Sequence, residues 1–278
     1  MKTVDTLIHA RWIVPVEPAG VLYEHHSLAV NQGRIVDLLP AEQARAAYRA
    51  GIDHELDSHL LMPGLVNAHT HAAMSLLRGL ADDLPLNEWL NEHIWPAESR
   101  WVNEEFVHDG TQLAIAEMLR SGTTCFNDMY FYPDITARVA ASCGMRACVG
   151  LIVIDFPTVW AKDAGEYISK GLAVHDRFRG DSLVQTVFAP HAPYTVSDQP
   201  LEHIRTLADE MDIGIHMHIH ETAEEVERAV ELTGKRPLQR LEELGLLTPA
   251  LMAVHMTQLG EGEIRRFADS GAHVVHCP

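Results

Sequence analysis

LMPGLVNAHTH, residues 61–71, is the stretch whose reading decides the fold. Its segment Leu65-Val66-Asn67-Ala68 reads as a buried strand, and it ends in two histidines one residue apart. Residues i and i+2 of a strand point to the same side, so His69 and His71 share a face. Neutral imidazole is a common zinc ligand, and two of them at a strand end make half of a metal site. The chain carries 18 histidines, so the pair alone reads equally well as two ordinary strand-end polar residues. The downstream sequence decides between these readings.

Beyond residue 60 the chain alternates strand-like apolar runs with helical segments. The runs fall at 123–128, 146–154, 183–190, 213–220, 251–255 and 273–277. Helical periodicity covers 104–121, 201–212, 238–244 and 261–270, and a further helix follows Thr222 and stops at Gly234. Thr222 and Glu225 form a Thr-x-x-Glu capping box at its start. Repeated β-then-α units predict a parallel sheet. No GxGxxG or GxxxxGK[ST] follows a strand, so a nucleotide-binding version has no support. Polar residues gather at the strand C-terminal ends: His69 and His71, Asp128, His191, His218 to Glu221, His255 and His276. An α/β barrel collects its catalytic groups at that end of nearly every strand, whereas an open doubly wound sheet uses one switch point. The expected fold is therefore an α/β (β/α)8 TIM barrel, of which seven strands are present, over residues 61–278. Residues 1–60 alternate apolar and polar positions, with turn signals at Pro18-Gly20 and Asn31-Gly33. They read as the N-terminal part of a small β-sandwich-like domain, with a short helix within 41–50.

The composition narrows the function. Of 278 residues, 47% are hydrophobic, and 21 basic residues face 39 acidic ones, a net charge of −18. A surface this acidic disfavours nucleic acid and anionic membranes. No apolar run is long enough for a membrane span, and Asp5, His9 and Arg11 interrupt any signal-peptide pattern. The four cysteines form no CxxC pair and are too few for a disulfide scaffold. A cytoplasmic enzyme or binding protein is expected, with a homo-oligomer left open.

IGIHMHIHE, residues 213–221, is the second informative stretch. His216, His218 and His220 lie on one face of one strand, and not all three can bind the same metal as His69 and His71. A HExxH metalloprotease reading fails, because position 224 is Glu rather than His. What remains is a ligand histidine followed three residues later by a carboxylate. His216 and His220 are expected to support the strand end; Asp128 and His276 are expected to act as supporting partners or strand-end polar groups.

PGLVNAHTH, APHAPY, HMHIHET, AVHMTQL and VVHCP, in this order, resemble the amidohydrolase superfamily, and within it the cytosine/adenosine-deaminase-like branch. The segment from Met74 to Glu98 resembles the 5-methylthioadenosine/S-adenosylhomocysteine deaminases. The resemblance covers essentially the whole chain. It implies His69, His71 and His218 as metal ligands, Glu221 as general acid/base, and His255 as the histidine that orients the hydrolytic water. It also implies Glu98 and His191 as substrate contacts, with Glu221 touching substrate as well. The family's last metal ligand, an Asp at the end of strand 8, and the second half of its small β-domain would fall beyond Pro278. Where some relatives carry an Arg after strand 3, this chain has VGLIVID. Two-metal relatives use a lysine at the end of strand 4, where this chain has FAPHAPY, so a single divalent metal is expected. Zinc is the default, and Fe2+ or Mn2+ would tolerate the same ligands. The implied activity is hydrolytic deamination of a 5′-substituted adenosine to its inosine analogue, with a small-molecule nucleoside as partner. Alternatives are an aminohydrolase or chlorohydrolase for another ring (guanine, an 8-oxopurine, a triazine) and a metal- or nucleoside-binding fragment without turnover.

Overall fold

The computed structural model describes residues 1–277. The chain divides into two compact units, Met1–Gly64 and Leu65–Pro278.

The first unit is a four-stranded sheet in the order β3-β2-β1-β4. Its strands are β1 (Lys2–Ile13), β2 (Tyr23–Asn31), β3 (Arg34–Pro40) and β4 (Tyr48–Leu61), with α1 (Ala41–Ala47) between β3 and β4. The two turn signals read from the sequence join β1 to β2 and β2 to β3, both antiparallel pairs. β4 returns parallel to β1, a connection that needs a crossover, and α1 supplies it. A small core of Val4, Leu7, Ala29, Ala44 and Tyr48 holds helix to sheet.

The second unit runs β5 (Leu65–Thr70), a 3-10 helix (Ala72–Leu77), α2 (Leu86–Glu88), a π turn (Trp89–Ile94) and α3 (Trp95–Trp101). It continues with α4 (Glu104–Arg120), β6 (Thr123–Asp128), α5 (Pro133–Ser142), β7 (Arg146–Val153), α6 (Ala164–Phe178) and β8 (Val184–Pro190). It closes with α7 (Asp198–Met211), β9 (Ile215–Ile219), α8 (Ala223–Thr233), α9 (Pro237–Glu243), β10 (Leu251–His255), α10 (Glu261–Ser270) and β11 (His273–Val275). The seven strands are all parallel and neighbour one another in chain order from β5 to β11.

Local chemistry sets these elements. Asn103 caps α4 by accepting the Phe106 N–H at 2.9 Å, and Thr222 caps α8 by accepting that of Glu225 at 3.2 Å. Gly234 and Gly271 end α8 and α10 with φ of 72°, a left-handed conformation that costs glycine little. On α7, Leu201, Ile204 and Ala208 form one buried stripe. All five residues of β9 are buried, as expected for a parallel strand covered on both faces.

The sheet curls into a barrel wall. Four strand spacings separate β5 from β9, roughly 19 Å in a flat sheet. Yet His69 Nε2 on β5 lies 3.1 Å from His218 Nε2 on β9. Only a closing curvature brings them together, and the inward faces of these strands meet around the histidines. The wall is that of a TIM barrel, as the strand-end residues predict.

Candidate metal and catalytic site

Three rings form the centre. His71 Nδ1 donates to the Met129 carbonyl at 2.5 Å, and His218 Nδ1 donates to the His191 carbonyl at 2.8 Å. A carbonyl only accepts, so these contacts fix the proton on Nδ1 and leave each Nε2 with a bare lone pair. His69 Nδ1 lies 3.1 Å from His216 Nε2, and its own Nε2 faces that of His218. Burial pushes His69 and His218 far below the ordinary histidine range, helped by neighbouring histidines, and lowers His71 against the pull of its bond to the Met129 carbonyl. Neutral rings with converging lone pairs repel one another unless a cation sits between them. The 3.1 Å spacing approaches the ~3.3–3.4 Å edge of a tetrahedron with N–metal distances of about 2.0–2.1 Å. The donor set fits a divalent ion.

Nitrogens of His69, His218 and His255 lie within 4.8 Å of one another. The His71 ring stands 4.8 Å from that of His69 and 5.2 Å from that of His218, centroid to centroid. His255 thus joins the cluster by its ring nitrogen, although the resemblance implied only a water-orienting task for it. Its ring stacks on that of His218 at 5.4 Å.

Glu221 follows β9 directly. Its Oε1 lies 3.4 Å from His255 Nε2, and burial, with the nearby Glu225 carboxylate, raises its pKa to about 7. His191, at the end of β8, anchors its Nδ1 on Thr195 Oγ1 at 2.9 Å, and burial lowers its pKa to about 3.

Glu98 lies on α3, and it is only 7% exposed. Tyr130 donates its hydroxyl to Glu98 Oε1 at 2.7 Å. Burial raises the carboxyl to about 7, against the opposing pull of that hydrogen bond. Glu98 and His191 line one pocket with His71, Met74, Trp89, Trp95, Tyr130 and Phe156. The pocket is mainly apolar and aromatic with a few convergent polar groups, the usual composition of a small-molecule site.

Asp128 supports this centre. It is buried, and its Oδ1 accepts the Ala72 N–H at 2.6 Å, pinning the chain immediately after His71. His216 packs behind His69, and His220 Nε2 accepts the Leu238 N–H at 3.2 Å. His276 is exposed, and its side chain makes no hydrogen bond among the described residues. Tyr130, Thr195 and Glu225 were not singled out as site residues from sequence. Tyr130 sits in DMYFY directly after β6, a position that could have flagged it. In the first unit His9, Asp53 and Glu55 also converge, but Arg45 holds both oxygens of Glu55.

Seven parallel strands with histidines converging from three of their tips define the class. Residues 60–278 match the amidohydrolase family, and the chain belongs to it. The 5-methylthioadenosine/S-adenosylhomocysteine deaminase of Saccharophagus degradans is 54% identical over 276 residues, 99% of this chain and 61% of the relative. The same-named protein of Thermodesulfovibrio yellowstonii is 41% identical over 273 residues, 98% of this chain and 62% of the relative. An adenosine deaminase from Xanthomonas campestris, solved with bound zinc, matches with a TM-score of 0.98 at 52% identity, over 100% of this chain and 63% of that one. This chain spans about three fifths of the length of these relatives. Among the described residues no helix is long and apolar enough to cross a membrane.

Proposed function

We propose that the chain carries the metal and acid/base centre of a hydrolase that deaminates 5′-substituted adenosines, 5-methylthioadenosine and S-adenosylhomocysteine, to the inosine analogues. The observation that carries this reading is the approach of His69 and His218 to 3.1 Å, with Glu221 beside His255 at the same strand ends. The names of the relatives support the substrate class.

His69, His71 and His218 would hold one divalent ion, zinc by the chemistry of the donors. When bound, the ion supplies Lewis acidity that brings the pKa of a water at the site to about 7. Glu221, poised near neutrality, accepts a proton from the attacking water and delivers it to the ring nitrogen beside C6. His255 faces Glu221 and orients that water through its ring nitrogen. Attack at C6 forms the C–O bond; Glu221 then carries the remaining hydroxyl proton to the amino group, the C6–N bond breaks, and ammonia leaves as the C6 oxygen becomes a carbonyl. Glu98 accepts hydrogen bonds from ribose hydroxyls, and His191 contacts the base. The enzyme is expected to act in the cytoplasm on a free nucleoside, without nucleic acid or membrane partners, which suits its acidic surface.

Ammonia release across methylthioadenosine, S-adenosylhomocysteine, adenosine, guanine and an aminotriazine tests the assignment. Preference for the two 5′-thio nucleosides is expected. Turnover of guanine or the triazine alone would move the chain to another ring, and metal binding without ammonia from any of them would leave a binding fragment.

A further inference from the structure

We propose that Glu225 is a positioning residue for Glu221: with Thr257 it clamps both sides of the backbone that joins His220 to Glu221, and so aims the acid/base carboxylate. The inference rests on the function proposed above.

The two carboxylate oxygens of Glu225 take two successive backbone donors. Oε1 accepts the His220 N–H at 3.2 Å, and Oε2 accepts the Glu221 N–H at 2.7 Å. Glu225 is itself fixed, because its own N–H is bound by the capping hydroxyl of Thr222. On the other side, the Thr257 N–H donates to the His220 carbonyl at 3.0 Å. The Thr257 hydroxyl lies 2.9 Å from the Glu221 carbonyl, which accepts from it. Thr257 follows β10, so the clamp ties the tip of β9 to the tip of the neighbouring strand.

The clamped residue needs holding. His220 has φ of 55°, in the left-handed region that non-glycine residues adopt at a cost. This conformation ends the extended run of β9 and turns the chain at Glu221, whose Oε1 comes to 3.4 Å from His255 Nε2. Relaxation of His220 to an extended conformation would swing Glu221 off that line. A general acid/base acts only within hydrogen-bond reach of its proton, so a shift of about 1 Å is costly. Two adjacent N–H donors also explain why the clamp is a carboxylate. A glutamine offers one acceptor and turns an NH2 group toward the second donor.

The test uses the full chain, loaded with metal. In Glu225→Gln, hydrogen exchange at the 220–221 amides should accelerate at least ~10-fold while that of β7 stays unchanged. kcat on methylthioadenosine should fall at least ~10-fold, with KM within about threefold and metal content unchanged. Because Glu225 acts through Glu221, the pair Glu221→Gln/Glu225→Gln should keep the residual rate of Glu221→Gln alone. A merely structural role would lower it further. Thr257→Val, which keeps the shape and the N–H contact, should lower kcat by roughly three- to tenfold and decides the matter if Glu225→Gln does not fold. Glu225→Gln with kcat within threefold of the parent overturns the proposal, as does a double variant at least tenfold slower than Glu221→Gln. Accelerated exchange in the variant, beside a parent chain that releases no ammonia from any nucleoside, would instead overturn the functional reading and leave the clamp as architecture alone.

Discussion

At the scale of single residues the proton-moving group is the sharpest test. Glu221→Gln removes the titrating proton and keeps the shape, so metal and nucleoside binding should persist while turnover falls at least ~10²-fold, checked by steady-state rates beside metal analysis. Glu98 carries two further expectations. Oε1 is occupied by Tyr130, and among the described residues no donor meets Oε2, which is therefore free for ribose. Glu98→Ala should lower kcat/KM for methylthioadenosine at least ~10-fold and leave a 2′,3′-dideoxy analogue nearly unaffected. Equal losses on both substrates would remove the ribose role. The same carboxyl also links stability to pH. Its pKa in the folded chain, about 7, lies above the ordinary 4.5, so the folded state holds the proton more tightly. That contribution is complete below pH 4.5 and is lost as the pH rises to about 7. Glu98→Gln lacks the titration. Denaturant midpoints of parent and variant should therefore diverge between these pH values by on the order of 1–3 kcal/mol, with the parent losing stability.

Residues in regular patterns were legible in the sequence, and those defined by a tertiary contact were not. Period-2 spacing places His69 with His71, and His216 with His218 and His220, on strand faces, while the choice of His218 and Glu221 among them rests on the resemblance to the amidohydrolases. The position of Tyr130 after β6 is legible, but its bond to Glu98 on α3 is not. The Thr222 and Glu225 box was read correctly as a helix start, and Thr222 does bind the Glu225 N–H. The Glu225 carboxylate, however, reaches back to His220 and Glu221, a choice that depends on the left-handed turn between strand and helix.

Elements show the same division. All seven barrel strands fall where apolar runs place them; burial on both faces makes β7, β8 and β9 conspicuous, whereas β5, expected to be buried, leaves Leu65 and Val66 exposed. Helices α5 and α6 carried no reading of their own. α5 is only ten residues long and rich in small residues, with Ala137, Ala140 and Ala141 in its turns. The stretch Leu86–Trp101 is helical but passes through a π turn, whose wider spacing breaks a 3.6-residue pattern. The packing of α4 on the 3-10 helix after His71 offers a test at this scale. A Cβ on Gly110 would stand 2.4 Å from the Ala73 carbonyl oxygen, a backbone atom with little room to yield. Alanine gains up to about 1 kcal/mol of helix propensity over glycine, but overpacking costs about 1–3 kcal/mol. Gly110→Ala should lower the thermal midpoint, and a midpoint at or above the parent's would show that α4 shifts freely.

For the molecule as a whole, the metal proposed above would be a ligand of the native state. Zinc at about 100 times its Kd should stabilise the folded chain by about 2.7 kcal/mol. A chelated sample should unfold several degrees below one reconstituted with zinc, and elemental analysis should return one ion per chain. Two ions, or none after reconstitution, would contradict the single site built on His69, His71 and His218.

The contact between His69 and His218 also has a history in time. It joins residues 149 positions apart. A ribosome adding about 5–20 residues per second needs roughly 7–30 s to produce the second after the first. Throughout that interval the first histidine pair waits at the tip of β5 with no partner from β9. An ion cannot seed this fold, because the lone pairs that grip it meet only when the wall has curved through five strands. For the single site proposed above, metal capture then follows the curving of the wall from β5 to β9 and reports on it.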